Sequence, residues 1–292
     1  MKVGFIGFGG AAHGLSMGLV QAGLTEISFF DSLLSAPVDS EIILRRAEET
    51  GAIAEENLEA LIQDSEIIVS CVTGAVALTV AEQAAALLTQ DQLYVDVNTA
   101  SPGTMEAVGE IIEKTGARFA DVAMMGGIPA FSHRVPCLAS GNGAQQFQTA
   151  MQPYGMDITC VGLFPGQASA IKMFRSIFMK GFLAILLEML TATHRYQVDS
   201  IVLDSIAKTM EKNTFTETVR LQMAKGVINA KRMAHEMEAV AETLAEMSLP
   251  STMASATKEK LSWCGNMKLA EHLGGEMSQS LDEILDILIK KI

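Results

Sequence analysis

The chain has 292 residues, with 21 Lys and Arg against 34 Asp and Glu for a formal net charge of −13, and is 49% hydrophobic and 19% charged. That apolar share is enough for packed cores and excludes a disordered chain, and at roughly 150 residues per domain the length corresponds to two domains. The acidic balance argues against nucleic acid or an anionic membrane as partner, because both require clustered Lys and Arg, but leaves room for an anionic small molecule in one local cationic pocket.

The N-terminus runs straight into Val3-Gly4-Phe5-Ile6-Gly7, too short and glycine-rich for a signal segment. Strand-like runs at residues 2–6, 26–30, 66–72, 92–97, 118–122, 136–140 and 156–161 are mostly continuous in apolar residues, as expected of strands covered on both faces. Helical stretches at 11–22, 75–88, 102–114 and 144–151 alternate with them. This alternation predicts an α/β architecture of βαβ units, a doubly wound, mostly parallel sheet over residues 1–164. Cys71, Cys137, Cys160 and Cys264 lie far apart with no Cys-x-x-Cys pair, so they read as free thiols in a reducing cytoplasm, and no metal site is expected.

Past Phe164-Pro165-Gly166 the pattern changes and no strand is predicted. Ile171, Phe174, Phe178, Phe182, Ile185 and Met189 recur at spacings of three and four, the period of a buried helix face. The stretch 176–190 is interrupted by Lys180 and Glu188, so it reads as a buried helix rather than a membrane span, which needs about 20 predominantly apolar residues. Further helices are predicted at 201–212, 216–246 (with a break near Gly226), 251–264 and 278–292, giving an all-helical domain over residues 165–292. Its apolar positions exceed what one small domain has to bury and point to a homodimer.

The strongest local signal is Gly7-Phe8-Gly9-Gly10-Ala11-Ala12, which follows the first strand and opens a helix as G-x-G-x-x-A. The first Gly permits a tight turn, Gly9 lets the backbone approach a pyrophosphate, and small Ala12 allows close helix–strand packing. The helix N-terminus supplies free N–H groups and partial positive charge to phosphates. Asp31 closes the second strand 22 residues after Gly9, where a carboxylate can bond both ribose hydroxyls and repel a 2′-phosphate. The cofactor is therefore NAD or NADP, with NAD favoured; Arg45 and Arg46, a few turns on, are the cations within reach of a 2′-phosphate. His13, in the first helical turn, reads as a packing or surface residue.

Three later segments share this setting. Asp96-Val97-Asn98-Thr99-Ala100-Ser101-Pro102 closes a predicted strand, Met125-Gly126-Gly127 follows another, and Gly166-Gln167-Ala168-Ser169-Ala170-Ile171-Lys172 opens the long helix. With the glycine loop they resemble, over nearly the whole chain, the signatures of the beta-hydroxyacid dehydrogenase family, which includes 3-hydroxyisobutyrate, tartronate semialdehyde reducing and 6-phosphogluconate dehydrogenases. The chain departs from the family pattern at Ala12 (usually Gly), Asn98 (usually Ser), Met125 (usually Ser) and Ser176 (usually Asn). The run from Lys172 through Arg175 and Ser176 to Lys180-Gly181 resembles a branch often labelled phosphogluconate dehydrogenases.

The resemblance implies a Rossmann-type domain followed by a helical substrate and dimerisation domain. It also implies an NAD(P)-dependent oxidoreductase acting on a small hydroxy acid, with Lys172 as catalytic acid and base. Chemically, a base must take the hydroxyl proton as hydride leaves, and an acid must return it in reverse; lysine serves both if its surroundings lower its pKa. Val72, Thr73 and Asn98, after strand ends, are assigned to the cofactor cleft, with a turn-capping role open for Asn98 and Thr99. Thr99, Met125, Gly126, Gly127, Arg175, Ser176 and Lys231 are assigned to the substrate: the glycine N–H groups and the Arg175 fork suit a carboxylate, and Lys231 lies in a segment similar to the family's cleft-closing one. Arg232 and His235 share that segment. The alternatives are an imine reductase-like enzyme, which usually has another residue at the lysine position, and a catalytically silent dinucleotide-binding module.

Overall fold

The apolar runs of the first half assemble into one eight-stranded sheet of order β3-β2-β1-β4-β5-β6-β7-β8. The computed structural model describes residues 1–273 and 280–292, so the start of the expected terminal helix, Ser278 and Gln279, lies outside the described residues. The strands are β1 (Val3–Ile6), β2 (Ile27–Phe30), β3 (Ile53–Ala54), β4 (Ile67–Ser70), β5 (Leu93–Asp96), β6 (Arg118–Met124), β7 (Cys137–Ser140) and β8 (Ile158–Gly162). All neighbours pair in parallel except β6 and β7. Helices α1 (Gly10–Gln21), α2 (Pro37–Thr50), α3 (Leu58–Asp64), α4 (Ala77–Ala85), α5 (Pro102–Glu113), α6 (Ile128–Phe131) and α7 (Ala144–Met151) connect them.

The strands are continuous in apolar residues because each face of the sheet is covered. Val3, Phe5, Val69, Val95 and Val122 enter one buried cluster with Leu15 and Leu19 of α1. Ile6, Ile68, Tyr94 and Phe119 enter another with Leu61 of α3, Ala81 of α4 and Met105 of α5. Every strand expected from the sequence is present; the two-residue edge strand β3 and helices α2 and α3 are additional.

The remaining helices are α8 (Gln167–Arg195), α9 (Asp199–Met210), α10 (Phe215–Glu246), α11 (Thr252–Asn266), α12 (Leu269–His272) and α13 (Leu281–Lys291). The compact units divide within α8, as Met1–Ile177 and Phe178–Ile292, not at Pro165. The expected break at Gly226 does not occur: α10 is continuous, and a Cβ built there meets nothing within 4 Å. In the second unit, both oxygens of Glu188 accept the Met253 and Ala254 N–H groups at 2.8 Å, supplying the cap that the first turn of α11 lacks locally. The Lys258 ammonium reaches Glu238 at 2.6 Å between α11 and α10.

A third sequence expectation is also overturned. The apolar face of α8 is not buried: Ile171, Phe174, Phe178, Phe182 and Ile185 are all exposed, Phe174 at 66% and neighbouring Ile177 at 74%. Within one chain the aromatic side chains cover one another instead, with Phe178 stacked on Phe182 at 5.9 Å and edge-on to Phe215 at 5.3 Å. Among the described residues no helix is long and apolar enough to cross a membrane.

Close packing in the first unit depends on bare backbone in α1. A Cβ on Gly14 would collide with Ile128, and one on Gly18 with His133 and Ser132. An Ala in a helix interior ordinarily gains about 1 kcal/mol over Gly, whereas overpacking costs about 1–3 kcal/mol. Gly18→Ala is therefore expected to lower the thermal unfolding midpoint; an unchanged or raised midpoint would contradict this packing.

Candidate active site

The strand order reverses between β1 and β4, and the loops after β1, β4, β5 and β6 leave the same edge of the sheet. Open α/β sheets bind ligands at that switch point. Gly7 turns the chain there with φ +87°, and a Cβ would lie 2.7 Å from the Cys71 carbonyl and 2.8 Å from Val72. Above Gly9, by contrast, a Cβ would meet no protein atom within 4 Å, so the loop is open on the side where a ligand would approach. No side chain caps α1 and its first turn carries no acidic residue, which leaves the helix N-terminus electropositive. Ala12 is fully buried against the sheet.

Asp31 does more than close β2. Its Oδ2 accepts the Phe8 N–H at 2.8 Å and its Oδ1 accepts the Leu33 N–H at 2.9 Å, so the carboxylate holds the glycine loop in place. A guanidinium nitrogen of Arg46 lies 3.9 Å from where a Gly10 Cβ would stand, whereas Arg45 is exposed beside Glu49. His13 Nε2 sits 2.8 Å from Glu49. Gly10, Ala11, His13, Gly14 and Met17 of α1 and Ile128, Pro129 and Ser132 line a cleft of about 520 Å³, directly after Met125, Gly126 and Gly127. The Met125 N–H is held by the Pro136 carbonyl at 2.7 Å, while both glycines are exposed.

The loops after β4 and β5 are tied together by Asn98. Its Oδ1 accepts the Val72 N–H at 2.7 Å, and its Nδ2 donates to Ser70 Oγ at 2.9 Å and Asp96 Oδ2 at 3.0 Å. Asp96 Oδ1 accepts the Asn98 N–H at 2.8 Å. Asn98 is thus a buried bracket between the two loops, and it presents Thr99. Gly74, next to exposed Thr73, is pressed so closely on the Thr99 carbonyl that no side chain fits.

Lys172 and Thr99 are 73 residues apart in sequence, and the Lys172 Nζ donates to Thr99 Oγ1 at 2.9 Å. Lys172 is half-buried, Arg175 exposed, and the Ser176 hydroxyl is spent on the Lys172 carbonyl at 2.9 Å. The structure therefore brings Lys172 and Thr99 together but gives Ser176 to its own helix. Lys231 belongs to the second unit, where its stem packs over Gly265, and His235 there faces Glu238 at 3.5 Å. All four cysteines are free, and burial pushes the Cys71 and Cys137 thiols up to about 12, which makes them poor nucleophiles.

Residues that sequence reasoning missed are Asp121, Ser140 and Ser169, which form a buried cluster at the start of α8. Their signal was a lone polar residue inside an otherwise apolar strand.

The open space above Gly9, the uncapped helix and the carboxylate at the end of β2 fit a dinucleotide, and this arrangement at a strand-order reversal defines an NAD(P)-binding oxidoreductase fold. The model of the NAD binding domain of 6-phosphogluconate dehydrogenase matches residues 2–162, and the chain belongs to that family, the beta-hydroxyacid dehydrogenase-like proteins. Residues 193–264 match a domain of unknown function, DUF1932. The conserved protein MTH1747, described as of unknown function with structural similarity to 3-hydroxyacid dehydrogenases, is 33% identical over 90% of this chain and 98% of its own, with a TM-score of 0.61. An uncharacterised 28.5 kDa protein of Methanothermus fervidus is 26% identical over 88% of this chain and 96% of its own. An imine reductase from Aspergillus terreus shares the fold at a TM-score of 0.73 and 14% identity, over 98% of both chains.

Asp96 offers a test of the bracket. Burial pushes its carboxyl up from 3.8 to about 7, with Asp121 adding to the rise and the Asn98 hydrogen bonds opposing it. The folded chain therefore holds this proton more tightly than the unfolded chain does. Stability contributed by the protonated form is full below about pH 4 and is lost as pH rises to about 7. Asp96→Asn is expected to flatten that stretch of a plot of urea midpoint against pH relative to the parent; parallel curves would contradict the assignment.

Proposed function

We propose that the protein is an NAD(P)-dependent dehydrogenase or reductase acting on the CH–OH group of a small 3-hydroxy acid, or on its carbonyl partner, with Lys172 as general acid and base. The observation that carries this reading is the 2.9 Å bond from Lys172 to Thr99, which sets an ammonium group at the carboxyl edge of the sheet where the glycine loop also opens. When bound, the nicotinamide supplies or accepts the hydride. Lys172 gives a proton to the carbonyl oxygen in reduction and takes the hydroxyl proton in oxidation, while the Thr99 hydroxyl accepts an Nζ–H and orients the amine. The bare backbone of exposed Gly126 and Gly127 and the Arg175 fork suit a substrate carboxylate.

NAD is preferred in this reading because the Asp31 carboxylate favours ribose hydroxyls and repels a 2′-phosphate, which outweighs the Arg46 guanidinium beside the loop. The exposed apolar face of α8 is covered by a second copy in a homodimer, since a monomer rarely leaves so large a patch to water. The free cysteines fit a reducing cytoplasm.

A panel of hydroxy acids assayed with NAD⁺ and NADP⁺ tests the activity. Lys172→Ala is expected to lower turnover by at least about 100-fold with nearly unchanged cofactor affinity. Turnover that survives removes the role of Lys172, and dinucleotide binding with no turnover on any substrate points to a silent module. For the cofactor, Asp31→Ala is expected to weaken NADH binding more than NADPH binding in a titration of intrinsic fluorescence. Equal losses would overturn the preference.

A further inference from the structure

We propose that Asp121 is a positioning residue for Lys172: by holding the first turn of α8 on the sheet, its carboxylate sets the height and rotation of the helix that presents the amine to Thr99. This deepens the acid–base reading of Lys172 and rests on it. Asp121 is fully buried on β6, beside Asp96 in strand register. Its Oδ2 accepts the Gly166 and Ser169 N–H groups, each at 3.1 Å, and the Ser140 hydroxyl at 3.2 Å. Its Oδ1 accepts the Ser169 hydroxyl at 2.7 Å.

Ser140 Oγ in turn accepts the Ala168 N–H at 3.0 Å, so the otherwise orphaned donors of the first turn end on two strand side chains. Gly166 enters the turn at φ +88°, with a built Cβ only 2.9 Å from the Pro102 carbonyl, which fixes the chain as it enters. Ser169 and Lys172 are three residues apart and so lie on one helix face. The clamp on Ser169 therefore sets the direction from which the amine leaves the helix. A carboxylate suits the place because it meets the positive end of the helix dipole.

The test replaces Asp121 with Asn in the full-length chain, keeping the size and one acceptor oxygen while removing the charge. Acetic anhydride labelling with peptide mass spectrometry reads each lysine separately. Released from its seat, Lys172 is expected to react at least about fivefold faster, as for a locally opened segment. Lys114 and Lys208 keep their parent rates, and NADH keeps its affinity. Turnover on the hydroxy acid found in the panel is expected to fall about 100-fold, the scale on which a 1 Å misplacement acts. Ser169→Ala, which removes only the 2.7 Å bond, is the second variant and is expected to move Lys172 labelling in the same direction. Unchanged Lys172 labelling in both variants would overturn the proposal, as would a rise shared by every lysine, which marks general loosening. Full turnover by Lys172→Ala beside the expected labelling would overturn the acid–base reading instead.

Discussion

A carboxylate taken out of water survives only where donors replace its hydration, and this protein buries two acidic side chains side by side, at the end of β5 and midway along β6. Asp96 finds its donors in Asn98, and Asp121 finds them in the serines and backbone of the α8 entrance. Each side chain thereby fixes one half of a contact made 73 residues apart in the chain, the loop that carries Thr99 and the helix that carries Lys172. Burial raises the Asp96 carboxyl to about 7, and the neighbouring Asp121 adds to that rise.

Around these charges the site is built from omission as much as from contact. Gly7 and Gly74 let neighbouring loops approach where no side chain fits, and Gly9 leaves space where a side chain would fit but none stands. The same sheet that needs continuous apolar strands for its core thus ends in a rim of polar brackets and bare backbone.

The sheet was legible because strands buried on both faces declare themselves as unbroken apolar runs, and the glycine loop because its spacing is dictated by turn geometry. Helices α2 and α3 carry weaker patterns, and β3 is two residues on an edge, so local sequence marks them poorly. The role of Asn98 was not legible, since its partners Val72 and Ser70 come from another strand. Nor was that of Asp121, whose partners sit 45 and 48 residues downstream. The face of α8 misled for a different reason: periodicity reports that a surface is apolar and says nothing of whether the same chain covers it.

Asp31 fastens Phe8 and, in the proposed reading, also receives the ribose, two jobs for a single side chain. Exchange of this aspartate for a residue with no side-chain acceptor would unfasten the glycine turn at the same stroke. A lineage shifting toward the phosphorylated nucleotide would meet less resistance by keeping the aspartate and remodelling the neighbourhood of Arg46.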